Sequence, residues 1–252
     1  MTRFVSSSLA LAAALTFTLT ACGGGDDKGS APPTPAPSVP STPTSTPPEA
    51  VHATTDPATG LVVRTEADLT KALLELSDLP AGFSREDEEP DDGSKPFSTP
   101  SSRCKTLVKY LNAAEAPGSK ATVSRSFSGG QEGPYIDFGF DALGSVEKVA
   151  SLREKYADAV ASCPKVSLRA EGEGSTTMQV DELTAPKYGT EPFAFRLMGV
   201  SGPKRGLEFT ALITGVNDVV LSVSVLAGDE TVLEAAAEAA ATKAQAVLKP
   251  AT

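Results

Sequence analysis

Between Ala31 and Pro48, 8 of 18 residues are proline. Proline lacks a backbone N–H and fixes its own φ, so this tract builds neither the interior of a helix nor a sheet ladder. It favours extended polyproline II geometry at about 3.1 Å per residue, a semi-rigid spacer of up to roughly 55 Å. The preceding Gly23–Ser30, with four glycines and three charged residues, has no apolar content to bury. Residues 22–60 therefore read as a flexible Gly/Pro/Thr/Ser linker. Packed structure is expected in residues 61–252, a length suited to one ordinary domain.

Upstream of the spacer, Arg3 precedes an uncharged run from Phe4 to Ala21, which ends in Leu19-Thr20-Ala21-Cys22. A basic start, an apolar stretch and small residues before a cysteine form a secretory signal pattern over residues 1–21. The four-residue string resembles the lipobox of bacterial lipoproteins. That resemblance implies cleavage before Cys22, lipid attachment to its thiol and palmitate-type acylation of the new N-terminus. An uncleaved membrane span and an ordinary secretory signal are the competing readings. The run is marginal against the roughly 20 apolar residues a span requires. A lipid-anchored protein on the outer side of the cell membrane is expected. With Cys22 lipidated, two of the three cysteines remain, Cys104 and Cys163. An even pair in an exported protein predicts a disulfide. Closing a loop of about 60 residues stabilises by on the order of 4 kcal/mol in the chain-entropy model. Two buried free thiols are the alternative.

The chain carries 22 basic and 32 acidic residues. Removing Arg3 with the signal leaves 21 against 32, a formal charge of −11. Duplex nucleic acid is an improbable partner, because its binding relies on cations neutralising phosphates. Anionic headgroups also repel such a chain, so membrane attachment falls to acyl chains. The single histidine, His52, lies beside the spacer, which argues against imidazole-based catalysis and zinc chemistry. No Gly-x-Ser-x-Gly, Walker loop, HExxH or CxxC occurs. Ser-x-x-Lys pairs such as Ser102/Lys105 lack the partner motifs of penicillin-recognising enzymes. The acidic run Glu86–Asp92 places Asp92 where an EF-hand turn requires glycine, so it reads as a solvated loop rather than a metal site. No enzyme activity, metal or cofactor is expected.

Periodicity supplies the elements. Thr65 caps a first helix, with Asp68 at its third position and a stripe of Leu69, Leu73 and Leu76. Leu-Pro-Ala-Gly-Phe at 79–83 follows. Ser101 or Ser102 starts a second helix bearing Cys104, Leu107, Val108 and Leu111. Two alternating strands, through Val123 and Phe127 and through Ile136, Phe138 and Phe140, form a hairpin. Ser145 caps a third helix with Val149, Leu152, Tyr156 and Val160 on one face and Cys163 at its end. Three further strands occupy 193–199, 207–214 and 219–226. A C-terminal helix over 231–248 carries eight alanines. The predicted class is α+β, a largely antiparallel sheet with helices packed on one face.

Opposite the apolar positions, the strands read Thr122, Ser124, Ser126 and Ser128; Asp137 and Asp141; Arg196; Glu208, Thr210 and Thr214; Ser222 and Ser224. Placed together, these residues form an open, hydroxyl-rich sheet face. Asp137, Asp141, Arg196 and Glu208 are its strongest polar groups and the candidate ligand surface. Arg125 falls on the apolar side, as a rim residue or bulge rather than a buried clamp.

The landmark order is Leu-Ser-Asp-Leu-Pro-Ala-Gly-Phe after a first helix, a cysteine early in the second, a cysteine closing the third, then meandering strands and a final helix. It resembles the extracellular sensor domain of PknH-type mycobacterial serine/threonine kinases and related actinobacterial lipoproteins, over about residues 65–250. The resemblance implies an exposed sensor-like domain with a ligand cleft. Members of that family usually carry four cysteines in two disulfides, whereas this domain has two cysteines and no kinase. The expected function is a non-catalytic ligand-binding or sensor-like lipoprotein, with a small molecule, cell-wall component or protein as partner. The alternative is a carrier enclosing a lipid or other apolar ligand between sheet and helices.

Overall fold

The computed structural model describes residues 49–87, 95–170 and 172–251. The signal segment, Cys22, the Pro-rich spacer and most of the acidic run lie outside the described residues. In chain order the elements are β1 (Val51–His52), β2 (Thr54–Thr55), β3 (Val62–Val63), α1 (Glu66–Thr70), β4 (Ser84–Arg85) and β5 (Phe97–Ser98). Then come α2 (Lys105–Leu111), β6 (Thr122–Ser128), β7 (Tyr135–Ala142), α3 (Val146–Ala161), β8 (Lys165–Ala170) and β9 (Gly174–Leu183). The chain ends with β10 (Thr190–Ser201), β11 (Glu208–Val216), β12 (Val219–Leu226), α4 (Glu230–Val247) and β13 (Leu248–Lys249). Nine strands form one antiparallel sheet in the order β4-β6-β7-β12-β11-β10-β9-β8-β5.

The α+β class and the antiparallel sheet are those expected from the sequence. The helices, however, are shared between the two faces rather than packed on one. On the front face α1 and α4 cover the β6-β7-β12-β11 half, burying Phe127, Phe138, Phe140, Leu212, Leu221 and Val223. On the back face α2 and α3 cover the β11-β10-β9-β8 half, burying Val166, Val180, Phe193, Phe195, Leu197 and Ile213. The apolar phase of the outer strands therefore reverses across the sheet. β11 and β12, at the crossover, are apolar on both faces, as in Ala211-Leu212-Ile213 and Val219-Val220-Leu221. Strand alternation gives each strand two faces but leaves the phase between distant strands to the hydrogen-bond register.

Local signals explain most boundaries. Thr65 and Asp68 form a reciprocal capping box at α1, Ser145 accepts the Lys148 N–H at α3, and Asp229 accepts from Thr231 and Val232 at α4. α1 is shorter than the leucine spacing predicts. The Asp78 carboxylate takes the Glu75 N–H at 2.7 Å and opens a separate 3-10 turn, leaving Leu76 exposed outside the stripe. α4 lies close to the sheet through Ala236, Ala237, Ala240, Ala241 and Ala244, all buried. Side chains this small let the helix backbone approach the strands with little rotamer entropy lost.

Packed chain begins at Val51, ten residues before the expected boundary. β1 pairs in parallel with β13, β2 and β3 form a hairpin, and His52 sits exposed in β1. Behind this entry Arg64 is buried against Asp218 in the β11–β12 turn, at 2.7 Å, and donates to the Lys249 carbonyl at 2.8 Å. Cys104 and Cys163 form the disulfide, with Cα atoms 5.1 Å apart across a sequence separation of 59. It joins the start of α2 to the end of α3 inside the back core.

Arg125 corrects its sequence reading. It is buried on the front face at 5% exposure, and its Nη1 donates to the Leu74 carbonyl at 2.7 Å and to Glu75 Oε1 at 2.6 Å. The guanidinium is held in this core by charge-assisted hydrogen bonds to the Leu74 carbonyl and the Glu75 carboxylate.

Candidate functional site

The register separates the four charged residues proposed from sequence. Asp137 stands opposite Ser224 and Asp141 opposite Thr122, on the back face. Arg196 stands opposite Thr210, with Glu208 on the same side, on the front face. They do not form one surface. Arg196 lies within 3.4–3.8 Å of Asp181, Glu208 and Glu230, a partly exposed cluster beside the N-terminus of α4. Its guanidinium is already surrounded by carboxylates, and exposed pairs of this kind contribute little individually.

The two aspartates do share a site. Beyond the edge of α3, the back face of β6, β7 and β12 is only partly covered, and there the part of the expected hydroxyl-rich surface carried by these three strands exists; Thr210 and Thr214 are instead buried on the front face. A cleft of about 150 Å³ lies between this floor and a roof made by the loop Ala113–Ala116 and by Tyr156 of α3. Ser124, Asp137, Gly139, Ser222 and Ser224 line the floor. Gly139 occupies a position where a Cβ would lie 2.6 Å from Ser222 Oγ, so the floor is held flat between the two aspartates.

Each polar group has a distinct task. Asp141 is buried and accepts from the Ala116 N–H at 2.9 Å and the Thr122 hydroxyl at 2.7 Å, pinning the roof loop to the floor. Asp137 is exposed and accepts from Ser126, and from Ser224 at 3.4 Å, which leaves carboxylate lone pairs facing the cleft. Tyr156 stacks on Tyr110 of α2 with ring centroids 4.2 Å apart. Burial, then the Asp141 charge and Tyr110, push its phenol up to about 12. It therefore stays a hydrogen-bond donor, and among the described residues nothing accepts from it. Among the described residues no basic side chain lines the cleft. The arrangement offers acceptors and hydroxyls to a ligand. Among the described residues no group of three or more His, Cys, Asp or Glu is placed to hold a metal ion.

A second concavity went unread in the sequence. An apolar cavity of about 310 Å³ opens at the far end of the back face, lined by Phe97, Leu111, Leu168, Met178, Leu197 and Phe209, with Leu226 completing its wall. Lys204 and Glu173 lie at its lining and pair with each other at 2.8 Å. Strand alternation does mark Leu197, Phe209 and Leu226 as apolar, but the same signal describes filled core. The void arises because the short β5 and α2 roof this end of the sheet incompletely. On the front face, the Leu79–Phe83 segment and Ala235, Ala236 and Ala239 of α4 border a shallower groove of about 420 Å³.

The domain is similar to the crystal structure of the extracellular domain of PknH from Mycobacterium tuberculosis, with a TM-score of 0.55 and 15% sequence identity. The two share a fold. The match covers 71% of this chain and 94% of that domain. No family model matches the sequence, and no curated protein matches it. Among the described residues no helix is long and apolar enough to cross a membrane.

Proposed function

We propose that the protein is a lipid-anchored, extracytoplasmic lipoprotein whose folded domain is a non-catalytic, sensor-like module that binds its ligand in the polar cleft over β6, β7 and β12. The observation that carries this reading is the cleft itself. Asp137 presents free acceptor capacity, Tyr156 an unused donor and the serines adaptable hydroxyls, on a floor fixed by the sheet. A few placed polar groups on a rigid surface orient a ligand. The PknH-like fold supports a sensor-like role, although fold alone does not transmit a ligand. Arg196 and Glu208, on the opposite face, are not part of this site.

The test is chemical-shift mapping of residues 46–252 against a screen of small polar ligands and cell-wall fragments. Perturbations should centre on Ser124, Asp137, Ser222 and Ser224; shifts confined to the Arg196 cluster or to α4 would overturn the assignment. Anchoring is tested separately. Cys22→Ser should abolish acylation as read by intact-mass spectrometry, and a substituted protein still fully lipid-modified would refute it. The carrier reading has the apolar cavity in its favour. At about 310 Å³, however, it stands at the lower end of the 300–1,000 Å³ typical of ligand pockets, a size for one apolar chain rather than a multi-chain lipid.

A further inference from the structure

We infer that the polar cleft and the apolar cavity are two halves of one site, which takes a single-chain amphiphile with a neutral, hydroxyl-bearing head. The inference rests on the cleft being the ligand site and names the ligand class.

Continuity comes from the register. Ser224 lines the cleft and Leu226 lines the cavity. They are two residues apart on β12, hence on one face and about 7 Å apart. On β7 the change repeats, from Asp137 opposite Ser224 to Tyr135 opposite Leu226, while β11 lays Ala211 and then Phe209 beside the same two residues. The roof is continuous as well, because Leu111 at the end of α2 covers the cavity while Ala113–Ala116, immediately after it, cover the cleft. A ligand lying along β12 would thus pass from hydroxyl-rich floor to apolar wall beneath one stretch of chain.

Charge selects the head. Among the described residues the cleft is lined by Asp137, Asp141 and Glu115 and by no lysine or arginine, so a phosphate or carboxylate would meet like charge. A neutral polyol instead donates to Asp137 and accepts from Tyr156. Volume selects the tail, since the cavity is small and its lining overwhelmingly apolar side chains. Burying each methylene there lowers the dissociation constant severalfold.

The experiment uses residues 46–252, a compact unit containing both cores and the disulfide. Amide shifts are followed with monomeric octyl β-glucoside, hexyl β-glucoside, glucose and octanoate. Octyl glucoside should shift both Asp137 and Ser224 in the cleft and Leu197 and Phe209 in the cavity. Hexyl glucoside should bind about tenfold more weakly, for two methylenes lost. Ala170, at the end of β8, also lines the cavity, and Ala170→Met, which fills it, should weaken octyl glucoside by a similar factor and leave glucose shifts unchanged. If that variant fails to fold, the comparison of chain lengths on the unaltered domain still decides.

Octyl glucoside and glucose shifting only the cleft, with no dependence on chain length, would overturn the amphiphile and leave the polar site standing. Octanoate matching octyl glucoside, with shifts confined to the cavity, would overturn both the amphiphile and the cleft as the recognition element. Silence at both surfaces with every probe would likewise overturn both.

Discussion

Tyr156 shows how one side chain records its surroundings. Its phenol is held neutral by burial, the nearby Asp141 and Tyr110, with a folded-state value of about 12 against 10.0 for the free group. Because the folded value is raised, the stabilisation is complete below pH 10 and is lost as pH rises towards 12, where the unfolded chain has already given up its proton. Over that window the contribution is on the order of 2 kcal/mol. Tyr156→Phe should therefore flatten the alkaline fall in stability, measured by urea denaturation at several pH values between the two limits. An identical fall in both proteins would contradict the placement of this hydroxyl. Asp141 and Asp137, alike in sequence context, diverge in role for an equally local reason: one is consumed by a backbone N–H and Thr122, the other remains available. Nothing in alternating polarity distinguishes them.

Among the elements, those defined by nearby residues were legible and those defined by partners were not. The caps at Thr65 and Ser145, the β6–β7 hairpin and the stripe of α3 follow from spacing of a few residues. The polar faces of β6, β7 and β12 were also readable, and they supply the floor of the cleft. What escaped was the relative phase of strands far apart in sequence, so Arg196 and Glu208 were grouped with residues on the opposite side. Arg125 escaped for the same reason, since its acceptor at Leu74 lies 51 residues away. The buried alanines of α4 leave little room between helix and sheet. Ala240 is 1% exposed within the front core. Ala240→Leu should cost about 1–3 kcal/mol by overpacking, read as a lowered denaturation midpoint with unchanged slope. A neutral result would mean that α4 can lift from the sheet without penalty.

At the scale of the whole domain, two long-range ties reinforce a sheet whose cores lie on opposite faces. The disulfide secures α2 to α3 at the back. At the front, Arg64 secures the chain entry to the β11–β12 turn and to the C-terminal strand, with side-chain exposures of 0% and 3% for Arg64 and Asp218. Breaking a buried pair leaves one charge stranded, a loss of about 3–5 kcal/mol. Arg64→Ala should therefore destabilise strongly, whereas the double variant Arg64→Met/Asp218→Leu should recover much of the loss. Equal destabilisation in thermal melts of the two would argue that packing, not charge, makes this contact.

The parallel pairing of β1 with β13 has a mechanical consequence. Tension applied to the chain ahead of residue 49 and resisted at the C-terminal end pulls these two strands in opposite directions along their common axis, a shearing load. The hydrogen bonds around Val51–Leu248 and His52–Lys249 and the Arg64 fork then carry the strain together. The nine-stranded sheet is shielded until they give way. A stretched linker would thus peel off the entry segment as a discrete first event, leaving the cleft and its roof intact behind it.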